Sequence, residues 1–429
     1  MARIVLTSAA FWGDVMPFVP IARELSRRGH DVVYALPADH HAMLVDEPFA
    51  LADIASTFSP QDVMRDRRQR DLIERRGMTM GGAALARYWS QRYTVRELDQ
   101  VVEATSAALE GADLMITHPT MGCVTGIAAD VVGVPWVTGH LFPMMLPTGQ
   151  RPPSTFAVPQ LPGAAGRALN HAAWSAAERA IALMTDDRSV NRFRVRHGLP
   201  AVRANMLLAG VSHLATFVLV SPAYFPPPSD WPASVRMTGF TVWDGSSDVP
   251  DEVEAFLAAG DPPVVVSMGT CAGATAAEVF RETTDALDRL GVRSLCLVAH
   301  EQHRKATLVG RDGVFRFAPL RKVLPRCRAI VHAGSHGTNA VAMQAGLPSV
   351  SVPVLFDQLW HGRRTEELGI GRLVAGKRNR RVRLAGALEK VLGDPAYSAR
   401  ARDFAEVLAR EDGVSAVCRE IESVIRSDP

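Results

Sequence analysis

The sequence predicts an α/β protein with two doubly wound, Rossmann-like domains. Strand-like apolar runs alternate with amphipathic helical runs from the first residues onward, which is typical of parallel sheets covered by helices on both faces. The 429 residues exceed one ordinary domain and suit two. The alternation stops in segment 241–263, which carries Asp, Gly, Ser and Pro without periodicity, and restarts at Val264. We therefore interpret 241–263 as an interdomain linker and expect domains at 1–240 and 241–411.

The first half alternates in a regular order. We expect strands at 3–8, 31–36, 113–117, 134–139, 211–221 and 235–240, and helices at 18–28, 123–132 and 165–197. Segment 53–110 is polar and irregular, so we expect helices and long loops there that recognise an acceptor. The Pro-, Gly- and Ser-rich segment 143–162 predicts a loop.

The second half repeats this order of elements. We expect strands at 264–270, 294–299, 314–317, 329–332 and 349–353, a helix from about 276, and helices between about 396 and 426. The basic run at 377–381 is interpreted as a solvated loop.

The amino-acid composition excludes several functional classes for this protein. Hydrophobic residues make up 47% and charged residues 21%, as in a globular protein, and the net charge of +2 gives no reason to expect a nucleic-acid partner. The five cysteines are scattered, so neither disulfides nor a zinc site is expected. The first residues lack signal-peptide features, and no apolar run approaches the roughly twenty residues of a membrane span. We expect a cytoplasmic protein without stable membrane insertion.

One segment of the second half predicts a phosphate site. The strand 329–332 runs through a turn with Gly334 and Ser335 into a helix near Gly337 and Thr338. The first amides of a helix have no intrahelical acceptor and carry partial positive charge, so this helix start suits an anion. After a further strand come Asp357 and Gln358, which are placed to bind hydroxyl groups. This combination suggests a nucleotide sugar.

The block from His332 to Gln358 resembles the donor-binding signature of glycosyltransferase family 1, especially of bacterial natural-product and sterol-type enzymes. Its usual form is His-His-Gly-Gly-x-Gly-Thr, a helix, Ala-Gly-Val-Pro, a strand and Asp-Gln. The resemblance implies the GT-B architecture, in which two Rossmann-like domains face each other across a cleft. It also implies that a C-terminal helix at about 412–429 packs back onto the first domain.

The chain departs from this signature at one position. Aligned on Gly346 and Pro348, the family's first histidine falls on His332, but the second, which contacts the donor phosphate, falls on Ala333. His336, further round the turn, is a candidate substitute. Each of these two histidines can instead have a purely structural role. His332 can be a strand-end side chain whose hydrogen bonds are made within the protein, and His336 can be a solvated turn residue.

Two further segments face the donor in the relatives that this chain resembles. The first is the loop after the strand at 264, and the second is a Phe-x-Pro segment beside the nucleobase. The corresponding candidates here are Ser267, Gly269, Thr270, Pro319 and Leu320.

The catalytic base is expected in the first loop. Gly13-Asp14-Val15-Met16-Pro17 resembles the family's Gly-Asp-Val-x-Pro form, in which Asp or His is the base, so Asp14 is the candidate. The alternative is that Asp14 only caps the helix that begins near Pro17. His118 ends another strand of the same predicted sheet, where it either orients Asp14 or the acceptor, or is only structural.

The predicted activity is that of an inverting glycosyltransferase that needs no cofactor and no metal ion and uses a UDP- or dTDP-sugar as co-substrate. The chain has no Asp-x-Asp motif for metal binding. A lipophilic acceptor is expected from apolar residues in or beside the first-half loops, namely Phe11, Trp12, Phe18, Tyr88, Trp89, Phe142, Met144 and Met145. The alternative is a silent nucleotide-sugar-binding partner of another transferase. The sugar, the nucleotide, O- or C-linkage and a homodimer are left open.

Overall fold

The structure is a computed structural model that describes residues 1–9, 11–57, 87–88, 90–154, 159, 161–184, 186–202, 211–243, 245, 247–269, 273–298, 312–354 and 357–427. The chain divides into two compact units. Unit 1 comprises residues 1–241 and 412–429, and unit 2 comprises residues 242–411. The described part of each unit contains one parallel sheet with helices around it.

The sheet of unit 1 has seven described strands in the order β3-β2-β1-β4-β5-β6-β7, and all its neighbours are parallel. The strands are β1 (Arg3–Thr7), β2 (Asp31–Leu36), β3 (Ala50–Asp53), β4 (Leu114–Thr117), β5 (Trp136–His140), β6 (Thr216–Val218) and β7 (Val235–Met237). The order reverses between β1 and β4, which creates the switch point where doubly wound sheets bind ligands.

The helices of unit 1 cover both faces of this sheet. They are α1 (Trp12–Val15), α2 (Val19–Arg27), α3 (His41–Leu44), α4 (Leu98–Ala108), α5 (Pro119–Val132), α6 (Gly163–Met184), α7 (Asp187–Arg196) and, after unit 2, α15 (Gly413–Ser427). A 3-10 turn at Met16–Phe18 joins α1 to α2. Helix α15 packs against α2, where the buried Cys418 lies beside the Ile21 carbonyl group.

Several boundaries in unit 1 differ from the sequence expectation. The helix expected at 165–197 is two helices, because Asp186 takes a left-handed conformation between α6 and α7. Strand β3 was not expected, since its residues are only partly buried and lack a strong apolar pattern. Helix α5 begins at Pro119 rather than Cys123, because proline suits the first turn of a helix. Most of segment 53–110 lies outside the described residues.

The sheet of unit 2 has six described strands in the order β10-β9-β8-β11-β12-β13, again all parallel. The strands are β8 (Val264–Ser267), β9 (Ser294–Leu297), β10 (Asp312–Phe315), β11 (Ala329–His332), β12 (Ser349–Ser351) and β13 (Gly371–Leu373). The order reverses between β8 and β11, so unit 2 has a switch point of its own.

The helices of unit 2 are α8 (Asp251–Ala258), α9 (Gly273–Arg289), α10 (Leu320–Val323), α11 (His336–Gln344), α12 (Gln358–Glu367), α13 (Arg380–Gly393) and α14 (Pro395–Leu408). Consecutive residues of β8 face opposite sides of the sheet. Val264 and Val266 pack in one cluster with Val279 of α9, whereas Val265 packs in another with Val253 of α8. Helices therefore cover both faces, as a parallel sheet requires. Helix α8 falls within the segment interpreted from sequence as a linker, which was wrong for residues 251–258.

The interpretation of run 377–381 as a solvated loop is also wrong at Arg380. This side chain begins α13 and is only 5% exposed. Its guanidinium group contacts Glu282 at 2.7 Å and Glu278 at 2.9 Å, and both carboxylates lie on α9. These contacts raise the pKa of Arg380, although burial opposes that shift. Arg380 therefore joins α13 to α9, whereas the neighbouring Arg381 stays exposed beside Asp285.

We expect the Arg380→Ala substitution to lower the free energy of unfolding by about 2 kcal/mol, because it removes a buried cation and leaves two carboxylates unpaired. Arg381→Ala is the matched control and should cost less than about 0.5 kcal/mol, since its ion pair is exposed. Urea unfolding of the full chain measures both values. Equal losses in the two variants would contradict the role given to Arg380.

No helix among the described residues combines the length and the apolar character needed to cross a membrane.

Candidate functional site

The residues predicted to act gather at the switch points of the two sheets. In unit 1, Asp14 follows β1 and His118 follows β4. In unit 2, Ser267 ends β8 and His332 ends β11, and these two residues are paired in register. Parallel strands bring their carboxyl ends to one edge, so each pair lies where a ligand can be bound by residues from two neighbouring loops.

Asp14 and His118 form a close pair in unit 1. The Nε2 atom of His118 lies 3.5 Å from an Asp14 carboxylate oxygen, a close contact that is longer than an ordinary hydrogen bond. The His118 side chain is fully buried, whereas that of Asp14 is 17% exposed. The Thr120 amide donates to Nδ1 of His118 at 3.3 Å, so in the neutral ring the hydrogen is on Nε2, toward Asp14. Asp14 is therefore the member of the pair that solvent or a substrate reaches.

The capping alternative for Asp14 does not hold in the structure. Asp14 lies inside α1, and the N-cap residues of α1, of the 3-10 turn and of α2 are Phe11, Val15 and Phe18. His118, in contrast, caps α5 through Nδ1. Its two proposed roles are therefore compatible, because one ring nitrogen holds the helix while the other faces Asp14.

Buried hydroxyl groups hold the two strand ends that carry this pair. Thr7 ends β1 and Thr117 ends β4, and their Oγ1 atoms lie 2.8 Å apart. Thr125 of α5 contacts the Thr117 hydroxyl at 2.8 Å. On the other side, the hydroxyl of buried Tyr34 lies 2.7 Å from Ser8 Oγ and 3.0 Å from the Val15 carbonyl oxygen. The loop that carries Asp14 is therefore fixed at both ends.

Aromatic rings surround His118. Phe142 meets the imidazole edge to face at 5.6 Å, and Phe18 meets it at 6.1 Å. His140, at the end of β5, accepts a hydrogen bond from the Phe142 amide at 3.0 Å, and burial lowers the pKa of His140 to about 3. Sequence reasoning missed His140, because the expected strand stopped at residue 139. Its position at the end of a strand was the available signal.

The apolar residues expected to bind an acceptor separate into two groups. Phe18 and Met144 are buried in the core of unit 1, with exposures of 0% and 6%. Trp12 and Phe142 are partly exposed near the Asp14 edge, and Trp12 packs on His40 at 4.6 Å between ring centroids. His40, for which no sequence motif indicated a role, is 2% exposed there. Trp89 lies outside the described residues.

The start of α11 in unit 2 is open. Its N-cap residue Ser335 makes no capping hydrogen bond, and its hydroxyl lies 3.3 Å from that of Thr338 instead. No acceptor for the amides of Gly337 and Thr338 is found in the described part of the chain. Gly334 has φ +90°, and a Cβ there would lie 3.0 Å from the Gln358 carbonyl oxygen, so the turn requires glycine. Apart from its chain neighbours and the backbone of its own helix, no described residue lies within 4 Å of a Cβ placed on Gly337, which leaves room for a ligand.

The two histidines of this turn are buried. His332 is fully buried and accepts a hydrogen bond from the Gly334 amide at 3.0 Å, so it stabilises the turn. His336 is 3% exposed, and its ring packs at 5.9 Å from that of His361 on α12. Burial first, and His361 second, lower the pKa of both to about 3, so both are neutral at pH 7. Ala333 packs in the hydrophobic core. Neither histidine is presented to an anion in this conformation.

Asp357 and Gln358 lie at the start of α12. The Asp357 side chain is 15% exposed, and one carboxylate oxygen lies 3.1 Å from Nε2 of His361. Gln358 is 6% exposed, and its Oε1 accepts a hydrogen bond from the Val354 amide at 2.8 Å. Of the two, Asp357 is the more accessible to a sugar hydroxyl.

The remaining residues predicted to bind the nucleotide-sugar donor lie in two segments. Ser267 is partly exposed, and Gly269 is exposed with φ +67° in the loop after β8. Pro319 is the N-cap of the short helix α10, which begins at Leu320. Phe317 before them is 47% exposed. Thr270 lies outside the described residues.

Known proteins resemble this chain along its whole length. A family model, the C-terminal domain of erythromycin biosynthesis protein CIII-like proteins, matches residues 286–423. O-mycaminosyltylonolide 6-deoxyallosyltransferase of Streptomyces fradiae is 30% identical over 435 residues, which cover 98% of this chain and 97% of that protein. This similarity extends over both units.

Solved structures share the fold of the chain. Spinosyn rhamnosyltransferase SpnG, complexed with spinosyn aglycone, has a TM-score of 0.67 at 18% identity and covers 98% of this chain and 100% of its own. The glycosyltransferase SsfS6 of Streptomyces sp. SF2575, complexed with thymidine diphosphate, has a TM-score of 0.65 at 20% identity and covers 99% and 100%.

Proposed function

Because this chain belongs to glycosyltransferase family 1, we propose that it transfers a hexose from a dTDP-sugar to a hydroxyl group of a lipophilic natural product, with inversion and without a metal ion. The observation that carries the proposal is the open start of α11. The amides of Gly337 and Thr338, which have no acceptor among the described residues, suit the diphosphate of a nucleotide sugar together with the helix dipole.

The choice of nucleotide and acceptor is supported by the relatives. SsfS6 was solved with thymidine diphosphate, and SpnG with an aglycone. The Streptomyces fradiae relative is named for a deoxysugar transfer to O-mycaminosyltylonolide. These proteins favour dTDP over UDP and a natural-product acceptor for this chain, and the partly exposed Trp12 and Phe142 beside Asp14 offer apolar surface for it.

The proposed chemistry assigns one task to each unit. In unit 1, the Asp14 carboxylate takes the proton of the acceptor hydroxyl, while the His118 Nε2 hydrogen holds that carboxylate in place. The acceptor oxygen then forms a bond to the anomeric carbon as the bond from that carbon to the β-phosphate oxygen breaks. In unit 2, the α11 amides stabilise the charge that collects on the leaving dTDP. A single displacement inverts the anomeric centre.

The proposal also assigns the neutralisation of the diphosphate to main-chain amides and the Thr338 hydroxyl rather than to the buried rings of His332 and His336. Since these groups supply the positive potential that a divalent ion provides in other transferases, the reaction should proceed in the presence of EDTA.

Incubation of the protein with dTDP-glucose or UDP-glucose and a panel of macrolide and aromatic aglycones tests the proposal. We expect mass spectrometry to detect a glycosylated product together with released dTDP, and NMR to show a β-linkage formed from the α-linked donor. Transfer that requires a divalent ion, or that retains the α-configuration, would contradict the proposed mechanism. Failure of both nucleotides to bind would contradict the proposed function itself.

A further inference from the structure

His361 of α12 makes a specific contact with the carboxylate at the start of the same helix. Its Nε2 atom lies 3.1 Å from Oδ2 of Asp357, one helical turn earlier. The His361 side chain is 1% exposed and that of Asp357 is 15% exposed. Of these two groups only the imidazole can donate a hydrogen, since an ionised carboxylate has none.

The imidazole of His361 is held from several sides. Its ring centroid lies 5.9 Å from that of His336 on α11 and 5.2 Å from that of Trp360. The Thr365 hydroxyl donates to the His361 carbonyl oxygen at 2.8 Å and lies 3.2 Å from Oδ1 of Asn339, which is also on α11. The ring that contacts Asp357 is therefore fixed against the helix that we propose to bind the diphosphate.

The two carboxylate oxygens of Asp357 have different surroundings. Asp357 precedes α12 with helical backbone angles, φ −66° and ψ −18°, and its side chain makes no capping hydrogen bond. Its Oδ2 lies beside Nε2 of His361, whereas no hydrogen bond to Oδ1 is found among the described residues.

We propose that His361 is a positioning residue, which engages Oδ2 of the Asp357 carboxylate and leaves Oδ1 to accept hydrogen bonds from hydroxyl groups of the donor sugar. This inference rests on the proposed function, since it requires a nucleotide sugar at the start of α11. It predicts that His361 affects recognition of the sugar and not of the nucleoside diphosphate.

Calorimetric titration of the full chain with dTDP-glucose and with dTDP tests this role. In His361→Phe, which keeps an aromatic ring but has no N–H group, we expect the Kd for dTDP-glucose to rise roughly tenfold and the Kd for dTDP to stay unchanged. In His361→Gln, whose side-chain amide places an N–H group near the original Nε2, most of the affinity for dTDP-glucose should return.

A double-mutant cycle with Asp357→Asn separates positioning from a general structural role. If His361 acts through Asp357, adding His361→Phe to Asp357→Asn should weaken dTDP-glucose binding no further. Additive losses, or equal losses of dTDP and dTDP-glucose in His361→Phe, would overturn the inference while leaving the proposed function intact. Wild-type protein that binds neither dTDP nor UDP would instead reject the proposed function, and this inference with it.

Discussion

Asp14→Asn should lower kcat on the order of 10³-fold and leave the Kd for dTDP unchanged. The amide of Asn keeps the shape of the carboxylate and still contacts the buried His118, but it cannot take a proton from the acceptor hydroxyl. Because Asp14 lies in unit 1 and the proposed diphosphate site lies in unit 2, nucleotide binding should not depend on it.

Asp39→Asn is the matched control for this substitution. Asp39 is an exposed carboxylate in the short 3-10 helix after β2, the strand next to β1 in the sheet. It should keep the wild-type kcat. Steady-state kinetics with the active donor and acceptor give kcat, and calorimetric titration with dTDP gives the Kd. If Asp14→Asn kept its kcat, or if it lost dTDP binding, the assignment of Asp14 as the base would be wrong.

The second large effect is expected at the start of α11. Gly337→Glu places a carboxylate where we propose the diphosphate lies, and should raise the Kd for dTDP about 100-fold through repulsion between like charges. A side chain is tolerated at this position, since an added Cβ would meet no described residue within 4 Å beyond its own helix. The protein itself should not be destabilised, because an acidic residue in the first turn favours a helix and glycine does not.

Gly337→Gln separates charge from bulk, since Gln has nearly the shape of Glu without its charge. Gly337→Gln should raise the Kd for dTDP less than about tenfold, because its side chain adds bulk but does not repel the diphosphate as Glu does. Urea unfolding of both variants checks that the fold is kept. Equal effects of Glu and Gln would show that no anion lies near this helix start, and unchanged dTDP binding in Gly337→Glu would place the nucleotide elsewhere.

Much of the fold was predictable from sequence because its physical signals are local. The α/β class with two doubly wound parallel sheets is confirmed. Fully apolar runs such as Ile4-Val5-Leu6 and Val264-Val265-Val266 can be buried on both faces of a sheet, which is what a parallel sheet requires. The turn at Gly334 was also predictable, since glycine and a following helix start are visible in the sequence.

Elements stabilised by distant contacts were not predictable. Arg380 lies in a basic run, and only the fold brings Glu278 and Glu282 of α9 to it. Strand β3 has the weak apolar pattern of a short and partly exposed strand, and pairing with β2 stabilises it.

In the candidate site, too, the contacts between residues were not predictable. The sequence located Asp14, His118 and Asp357 at strand ends, but not the 3.5 Å and 3.1 Å contacts of these residues with their partners. The burial of His332 and His336 depends on the packing of α11 against α12, which side-chain identity alone does not reveal.

A crystal structure of the protein with bound dTDP tests the central claim most directly. We predict phosphate oxygens within hydrogen-bonding distance of the Gly337 and Thr338 amides, at the start of α11. A diphosphate bound elsewhere, with these two amides still unpaired or occupied by water, would contradict it.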